Sequence, residues 1–180
     1  MKIGITGVHS SGKTTLLNAL RSEAQFKNYS FCTEITRWVK SLGFPINEDG
    51  TDSTQTIIMM KHIYDLYMFD DFVTDRTAID GYVYSQWLFN QGKLSKHVLE
   101  DVYKVFHKCA NSYDYILLIR PEFDIENDGT RSTDIRFRDE IDTLFQMTLD
   151  KEKIKYYQVS GSVRERVEQV LNIINKDKTK

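Results

Sequence analysis

The chain has 180 residues, 41% of them apolar and 28% charged, with a formal net charge of −2. That length suits one domain, 1–180, with a sizeable core. The near-neutral balance gives no global basic field for nucleic acid as the favoured partner, and no apolar run approaches membrane-spanning length, so no membrane partner is expected.

Met1 to Thr6 reads as a short buried strand, followed by a glycine-rich turn and a helix from Lys13 to about Gln25. A second strand covers Tyr29 to Thr33, and Glu34 stands at its end. Ile35, Trp38, Val39 and Leu42 recur at helical spacing until Gly43-Phe44-Pro45 stops the pattern. After a polar loop, Ile57, Met60, Tyr64, Tyr67 and Met68 predict a largely buried helix from about Thr54 to Phe69. Phe72 to Thr74 is a third strand ending at Asp75-Arg76, with helices over about Ile79–Asn90 and Ser95–Cys109. Tyr115 to Ile119 is the clearest strand and Pro121 stops it. A polar stretch, Glu122 to Ser132, leads into a helix carrying Phe137, Ile141, Phe145 and Leu149. Tyr156 to Val159 is the last strand. A capping box of Ser162 with Glu165 opens a final helix, and residues 176–180 are expected to fray.

Strands alternate with helices, and most strands are continuous apolar runs. This is the pattern of an α/β fold with a parallel sheet covered on both faces, a three-layer sandwich. Ligands in such folds bind beyond the carboxyl ends of the strands. Cys32 and Cys109 lie far apart in apolar surroundings and read as buried free thiols of a reducing compartment. The first strand starts at the N-terminus, so no signal peptide is expected and a cytoplasmic location is.

Gly7-Val8-His9-Ser10-Ser11-Gly12-Lys13-Thr14-Thr15 fits the phosphate-binding pattern G-x-x-x-x-G-K-[ST], with a strand before it and a helix after it. Gly7 and Gly12 let the backbone wrap phosphate oxygens, and the helix N-terminus favours anions. Lys13 is expected to reach the terminal phosphates of a nucleoside triphosphate, and Thr14 to place its hydroxyl on Mg²⁺. The loop residues Gly7, His9, Ser10, Ser11, Gly12, Lys13, Thr14 and Thr15 therefore form the expected nucleotide site. The sequence lacks the D-x-x-G and [NT]-K-x-D elements of GTPase switches. Asp75 is followed by Arg76 rather than by the Glu of an ATPase motor. What remains is a small kinase, which needs an acceptor pocket and an arginine-bearing lid.

The loop Gly7 to Thr15, Glu34 with Arg37, Asp75-Arg76 with Asp80 and Tyr84, and Asp128-Gly129-Thr130-Arg131 followed by Arg138 occur in order along nearly the whole chain. In these elements the chain resembles the NadR-like P-loop kinases, a family with some phage-encoded members; for one of these the location would be the host cytoplasm. The adenylyltransferase domain of bifunctional members has no counterpart in this sequence. The resemblance implies the P-loop NTPase fold with a five-stranded parallel sheet, ATP with Mg²⁺, and a nucleoside-like or nucleotide-like small-molecule acceptor. On this reading the lid covers about 121–138.

Asp75 is a candidate to hold Mg²⁺ or to accept the acceptor hydroxyl's proton, and Glu34 to bind or deprotonate that hydroxyl. Two carboxylates favour a hydroxyl acceptor, while Arg37 and Arg76 keep a phosphate acceptor open. Arg131 and Arg138, seven apart, would share one face of a continuous helix and clamp the transferring phosphoryl group, whereas Arg136 would point away and be solvated. Tyr84 is the aromatic expected to stack on an acceptor base, and Asp80 either binds a ribose hydroxyl or caps its helix. Among the catalytic expectations are thus Lys13, Glu34, Asp75, Arg131 and Arg138; among the acceptor contacts are Glu34, Arg37, Arg76, Asp80 and Tyr84. His62, His97 and His107 are read as structural or surface residues. The rival readings are a thymidylate-like monophosphate kinase, a polynucleotide-directed kinase and a non-catalytic nucleotide-binding regulator. A homodimer is left open.

Overall fold

The computed structural model describes residues 1–33, 35–125 and 132–178. Its strands are β1 (Lys2–Thr6), β2 (Ser30–Cys32), β3 (Phe72–Asp75), β4 (Tyr115–Leu118) and β5 (Tyr157–Gln158). Its helices are α1 (Lys13–Arg21), α2 (Ile35–Ser41), α3 (Asp52–Met68), α4 (Ala78–Asn90), α5 (Lys96–Ala110), α6 (Ile135–Lys151) and α7 (Val163–Lys178). The strands pair in parallel in the order β2-β3-β1-β4-β5, with Ile5 beside Asp75 and Leu117. The expected five-stranded parallel sheet is therefore present.

Both faces of this sheet are buried, and β4 shows why an unbroken apolar run is needed there. Tyr115, Leu117 and Ile119 pack with α1 and α7 residues such as Leu17 and Val170, while Ile116 and Leu118 pack with Val83, Phe106 and Phe145 on the other side. α1 and α7 thus form one outer layer, and α3 to α6 the other.

Helix boundaries follow local caps. Thr51 Oγ accepts from the Thr54 N–H and starts α3 at Asp52. The box of Thr77 and Asp80 starts α4 at Ala78. α1 stops at Arg21 rather than near Gln25, and a 3-10 turn, Ala24–Phe26, folds Phe26 into the core. The box of Ser162 with Glu165 is present, and α7 runs from Val163 to Lys178.

Two sequence expectations are corrected. Met60, Tyr64, Tyr67 and Met68 do not face the core: each is more than half exposed, and α3 instead buries Thr54, Gln55, Met59, His62, Asp65 and Leu66. A polar-rich face turned inward signals a lined cavity rather than a plain core. The second correction concerns α6. Asp134 accepts from the Arg136 and Phe137 N–H groups, so the helix begins at Ile135 and does not extend back to Arg131. The argument that places Arg131 and Arg138 on one helical face therefore fails. Arg131, with Asp128, Gly129 and Thr130, lies outside the described residues, as does Glu34.

Candidate functional site

The loop between β1 and α1 is built to receive anions. Gly7 has φ +133, and a Cβ there would lie 2.2 Å from the Ile119 carbonyl oxygen, so only glycine fits the crossing beside β4. Gly12 is the N-cap of α1 in left-handed geometry, without a side-chain cap, and no acidic residue occupies the first turn. The leading N–H groups of α1 are thereby left for a ligand, at the positive end of the helix dipole. Lys13 is buried and its Nζ donates to the Val8 carbonyl at 2.7 Å, so the ammonium lies folded over the loop.

Parallel pairing of β3 with β1 brings Asp75 beside this loop. The Thr14 hydroxyl donates to Asp75 Oδ2, while Asp75 Oδ1 is buried without a hydrogen-bond partner. A hydroxyl and a carboxylate with one oxygen unused form a hard, all-oxygen donor pair. Mg²⁺, which takes one or two protein oxygens and completes its shell with phosphates and water, fits such a pair.

A cleft of about 600 Å³ opens here, lined by His9 to Thr14, Ile35, Thr36, Arg37, Asn47, Asp75 and Arg76. A second, smaller cavity shares Thr36, Asn47 and Arg76 with it and is lined further by Ile46, Gln55, Ile58, His62, Asp80, Gly81 and Tyr84 of the α3 and α4 region. Arg76 stands at the junction. Its φ of +87 is rare for a side chain larger than glycine, a strain of about 1–3 kcal/mol. Its guanidinium is 3.4 Å from Asp80 and 5.2 Å from the Tyr84 ring centre. Burial pulls this guanidinium's pKa down, but Tyr84, Asp80 and Asp75 more than offset that and hold it above its ordinary value. Asp80 is raised by burial, opposed chiefly by Arg76 and Lys13. It accepts from the Thr6 hydroxyl at 2.6 Å and the Thr77 N–H at 2.9 Å, so it serves as helix cap as well as cavity wall.

Of the other aromatics, Tyr82 and Trp87 are core residues. Tyr84 receives the His9 backbone N–H at 3.2 Å, and its hydroxyl lies 3.1 Å from His9 Nδ1. His9 in turn stacks on Phe137 of α6, with ring centres 5.4 Å apart. Arg138 Nη1 donates to the Phe123 carbonyl at 2.8 Å, tying α6 to the segment after β4. Arg136 is exposed and pairs with Glu140.

Behind the loop a further cavity of about 610 Å³ is lined by Ser10, Gly12, Thr15, Leu16, Phe123, Asp124, Gly161, Val163 and Arg166. Arg166 of α7 is almost fully buried and donates from Nη1 to the Ser11 carbonyl at 2.8 Å. Sequence reasoning missed Arg166, His62 and Gln55, which lie far from the motifs. The available signal was weak: polar residues on the inward face of otherwise apolar helices.

A family model described as AAA domain matches residues 2–166. The chain belongs to this family. No curated protein matches it. Among solved structures, a deoxyadenosine kinase from M. mycoides with dCMP and dCDP bound is 12% identical with a TM-score of 0.70, covering 98% of this chain and 99% of that one. NadR in complex with NR is 20% identical with a TM-score of 0.73; 97% of this chain aligns, spanning 50% of NadR. Thymidylate kinase from Candida albicans is 17% identical with a TM-score of 0.65, over 98% and 91%. The resemblance to NadR-like P-loop kinases is thus borne out, and the fold is that of P-loop nucleoside and nucleotide kinases. No helix among the described residues is long and apolar enough to cross a membrane.

Proposed function

We propose that the chain is a small-molecule kinase that transfers the γ-phosphoryl group of ATP to a nucleoside-like or nucleotide-like acceptor, with Mg²⁺. The observation that carries this reading is the junction at Arg76. There the phosphate-binding cleft runs into a second cavity, next to the Thr14–Asp75 pair. A switch or motor needs only the first cleft; a phosphotransferase needs both.

In this mechanism the α1 N-terminus and Lys13 hold the donor phosphates. Thr14 and Asp75 would hold Mg²⁺, which when bound would supply neutralisation of the donor's phosphate charge. The acceptor enters the second cavity with its reacting oxygen toward Arg76. A bond forms between that oxygen and the γ-phosphorus, the bond from phosphorus to the β–γ bridging oxygen breaks, and ADP leaves. A hydroxyl acceptor gives its proton to a carboxylate, Glu34 or Asp75 in this assignment, and then to solvent. Arg131 and Arg138 remain the proposed lid arginines over 121–138, with Arg37 and Arg76 available to an anionic acceptor.

The test is ATP consumption against nicotinamide riboside, common nucleosides and nucleoside monophosphates, with Lys13→Ala and Asp75→Asn as controls. Turnover with one acceptor is expected, lowered in each variant by about 10²–10³-fold. Tight nucleotide binding with no acceptor-dependent turnover would refute the kinase reading in favour of a regulator.

A further inference from the structure

The loop between α2 and α3 meets three parts of the molecule. Ile46 and Asn47 line the second cavity, and Asn47 lines the phosphate cleft as well. The loop backbone is pinned: the Thr54 hydroxyl donates to the Pro45 carbonyl at 2.8 Å, and Lys93 Nζ donates to the Glu48 carbonyl at 2.5 Å. From that held backbone the Glu48 side chain reaches Ser132, whose hydroxyl donates to Glu48 Oε1. No step of the reaction proposed above uses this carboxylate.

Ser132 passes the contact on to α6. A carboxylate accepts, so the buried hydroxyl gives its hydrogen to Glu48 and itself accepts from the Asp134 N–H at 3.1 Å. Asp134 is the N-cap of α6, and its carboxylate accepts from the Arg136 and Phe137 N–H groups. Those donors are among the four that a helix leaves unsatisfied at its start, so this relay sets where the first turn sits. The turn carries two groups that face the site. The Phe137 ring centre lies 5.4 Å from that of His9 in the phosphate loop and 5.9 Å from that of Tyr84 in the second cavity. Arg138, the next residue, is proposed above to meet the transferring phosphoryl group, and its Nη1 is held by the Phe123 carbonyl at 2.8 Å.

Building on the kinase reading, we propose that Glu48 is a positioning residue for phosphoryl transfer. Through Ser132 and Asp134 it fixes the first turn of α6, and with it Phe137 against the phosphate loop and Arg138 beside the site. Glu48 itself lines neither the cleft nor the second cavity, so its loss falls on the chemical step rather than on binding. With the loop backbone held, aspartate is one methylene too short for Ser132, whereas glutamine offers an acceptor oxygen at the same reach.

Two readouts on the full chain test this in wild type, Glu48→Ala, Glu48→Asp and Glu48→Gln. The first needs no substrate: hydrogen exchange by NMR at the Arg136, Phe137 and Arg138 amides. Exchange about tenfold faster is expected in Ala and Asp and near wild type in Gln, with the α5 amides unchanged throughout. The second is steady-state kinetics with ATP and whichever of nicotinamide riboside, adenosine, thymidine or dTMP the wild type turns over. There kcat is expected to fall about tenfold or more in Ala and Asp, with both KM values within about twofold, and to recover in Gln. A folded Glu48→Ala variant with wild-type α6 exchange, with wild-type kcat, or with a loss in KM alone overturns the proposal and leaves the kinase reading intact. A Gln variant as impaired as Ala does the same. If Glu48→Ala does not fold, the contrast between Asp and Gln decides in its place. A wild type that turns over none of these acceptors overturns the kinase reading, and the catalytic role of Glu48 with it.

Discussion

Replacing Arg166 tests whether α7 holds the phosphate-binding loop in shape. Arg166 spans the two: Nη1 donates to the Ser11 carbonyl at 2.8 Å, Nη2 lies 3.3 Å from Glu122, and the guanidinium sits 5.4 Å from the Phe123 ring centre. Arg166→Met keeps most of the aliphatic stem and removes the charge and donors. Loss of a charged hydrogen bond to a buried carbonyl costs about 1.5–3 kcal/mol. The partner carboxylate of Glu122 is partly exposed, so the ion pair adds at most about 1 kcal/mol. Urea unfolding should therefore show a loss of about 2–4 kcal/mol with an unchanged m-value. ATP affinity, measured by calorimetry, should fall about tenfold because the loop must then be ordered by the nucleotide itself. Arg166→Lys should recover only part of either effect, since one ammonium cannot serve Ser11 and Glu122 as a fork does. An unchanged midpoint together with unchanged ATP affinity in Arg166→Met would refute the reasoning.

Gly7→Ala should abolish ATP binding and lower stability by more than about 2 kcal/mol, since φ +133 and the Ile119 carbonyl at 2.2 Å leave a methyl no position; calorimetric binding near the wild-type level would contradict this. His62 also sets a pH dependence of stability. Its folded pKa of about 3 lies below the unfolded 6.5, so the unfolded chain binds more protons in that window, and stability is full above about 6.5 and falls with pH. Urea titrations should show this one group removing about 2 kcal/mol between pH 7 and pH 5, a slope missing from His62→Gln. Equal pH slopes in the two proteins would show that His62 is not buried neutral.

The phosphate loop and the sheet were legible because each rests on local rules. The G-x-x-x-x-G-K-T spacing sits between an apolar run and a helical period, and β4 carries apolar residues toward both faces. What was not legible depends on which way a helix faces. On α3 the bulky Met60, Tyr64, Tyr67 and Met68 look like a core stripe, and hydrophobicity alone assigns them inward. The structure turns Gln55 and His62 inward instead, onto a polar-lined cavity, and buries Asp65, which pairs with Lys61. Charges on α5, α6 and α7 mark their outer faces plainly, but the exposed α3 positions Ser53, Thr56, Met60, Tyr64, Tyr67 and Met68 carry none. The start of α6 was equally hidden: Asp134 as N-cap outweighs the spacing from Arg131 to Arg138.

The loop's variable position is a further case. His9 fills no motif slot, yet its N–H and Nδ1 meet the Tyr84 hydroxyl, its ring lies on Phe137, and Tyr84 covers the Arg76 guanidinium. The loop after β1, the wall of the second cavity and the base of α6 therefore share one contact chain. Arg76 is the strained link in it: hydrogen bonds from its N–H to the Ile5 carbonyl and from the Thr74 hydroxyl to its own carbonyl hold the left-handed backbone in place. Relaxing that backbone would release the guanidinium from Asp80 and Tyr84 together. With this left-handed backbone Arg76 lines both cavities.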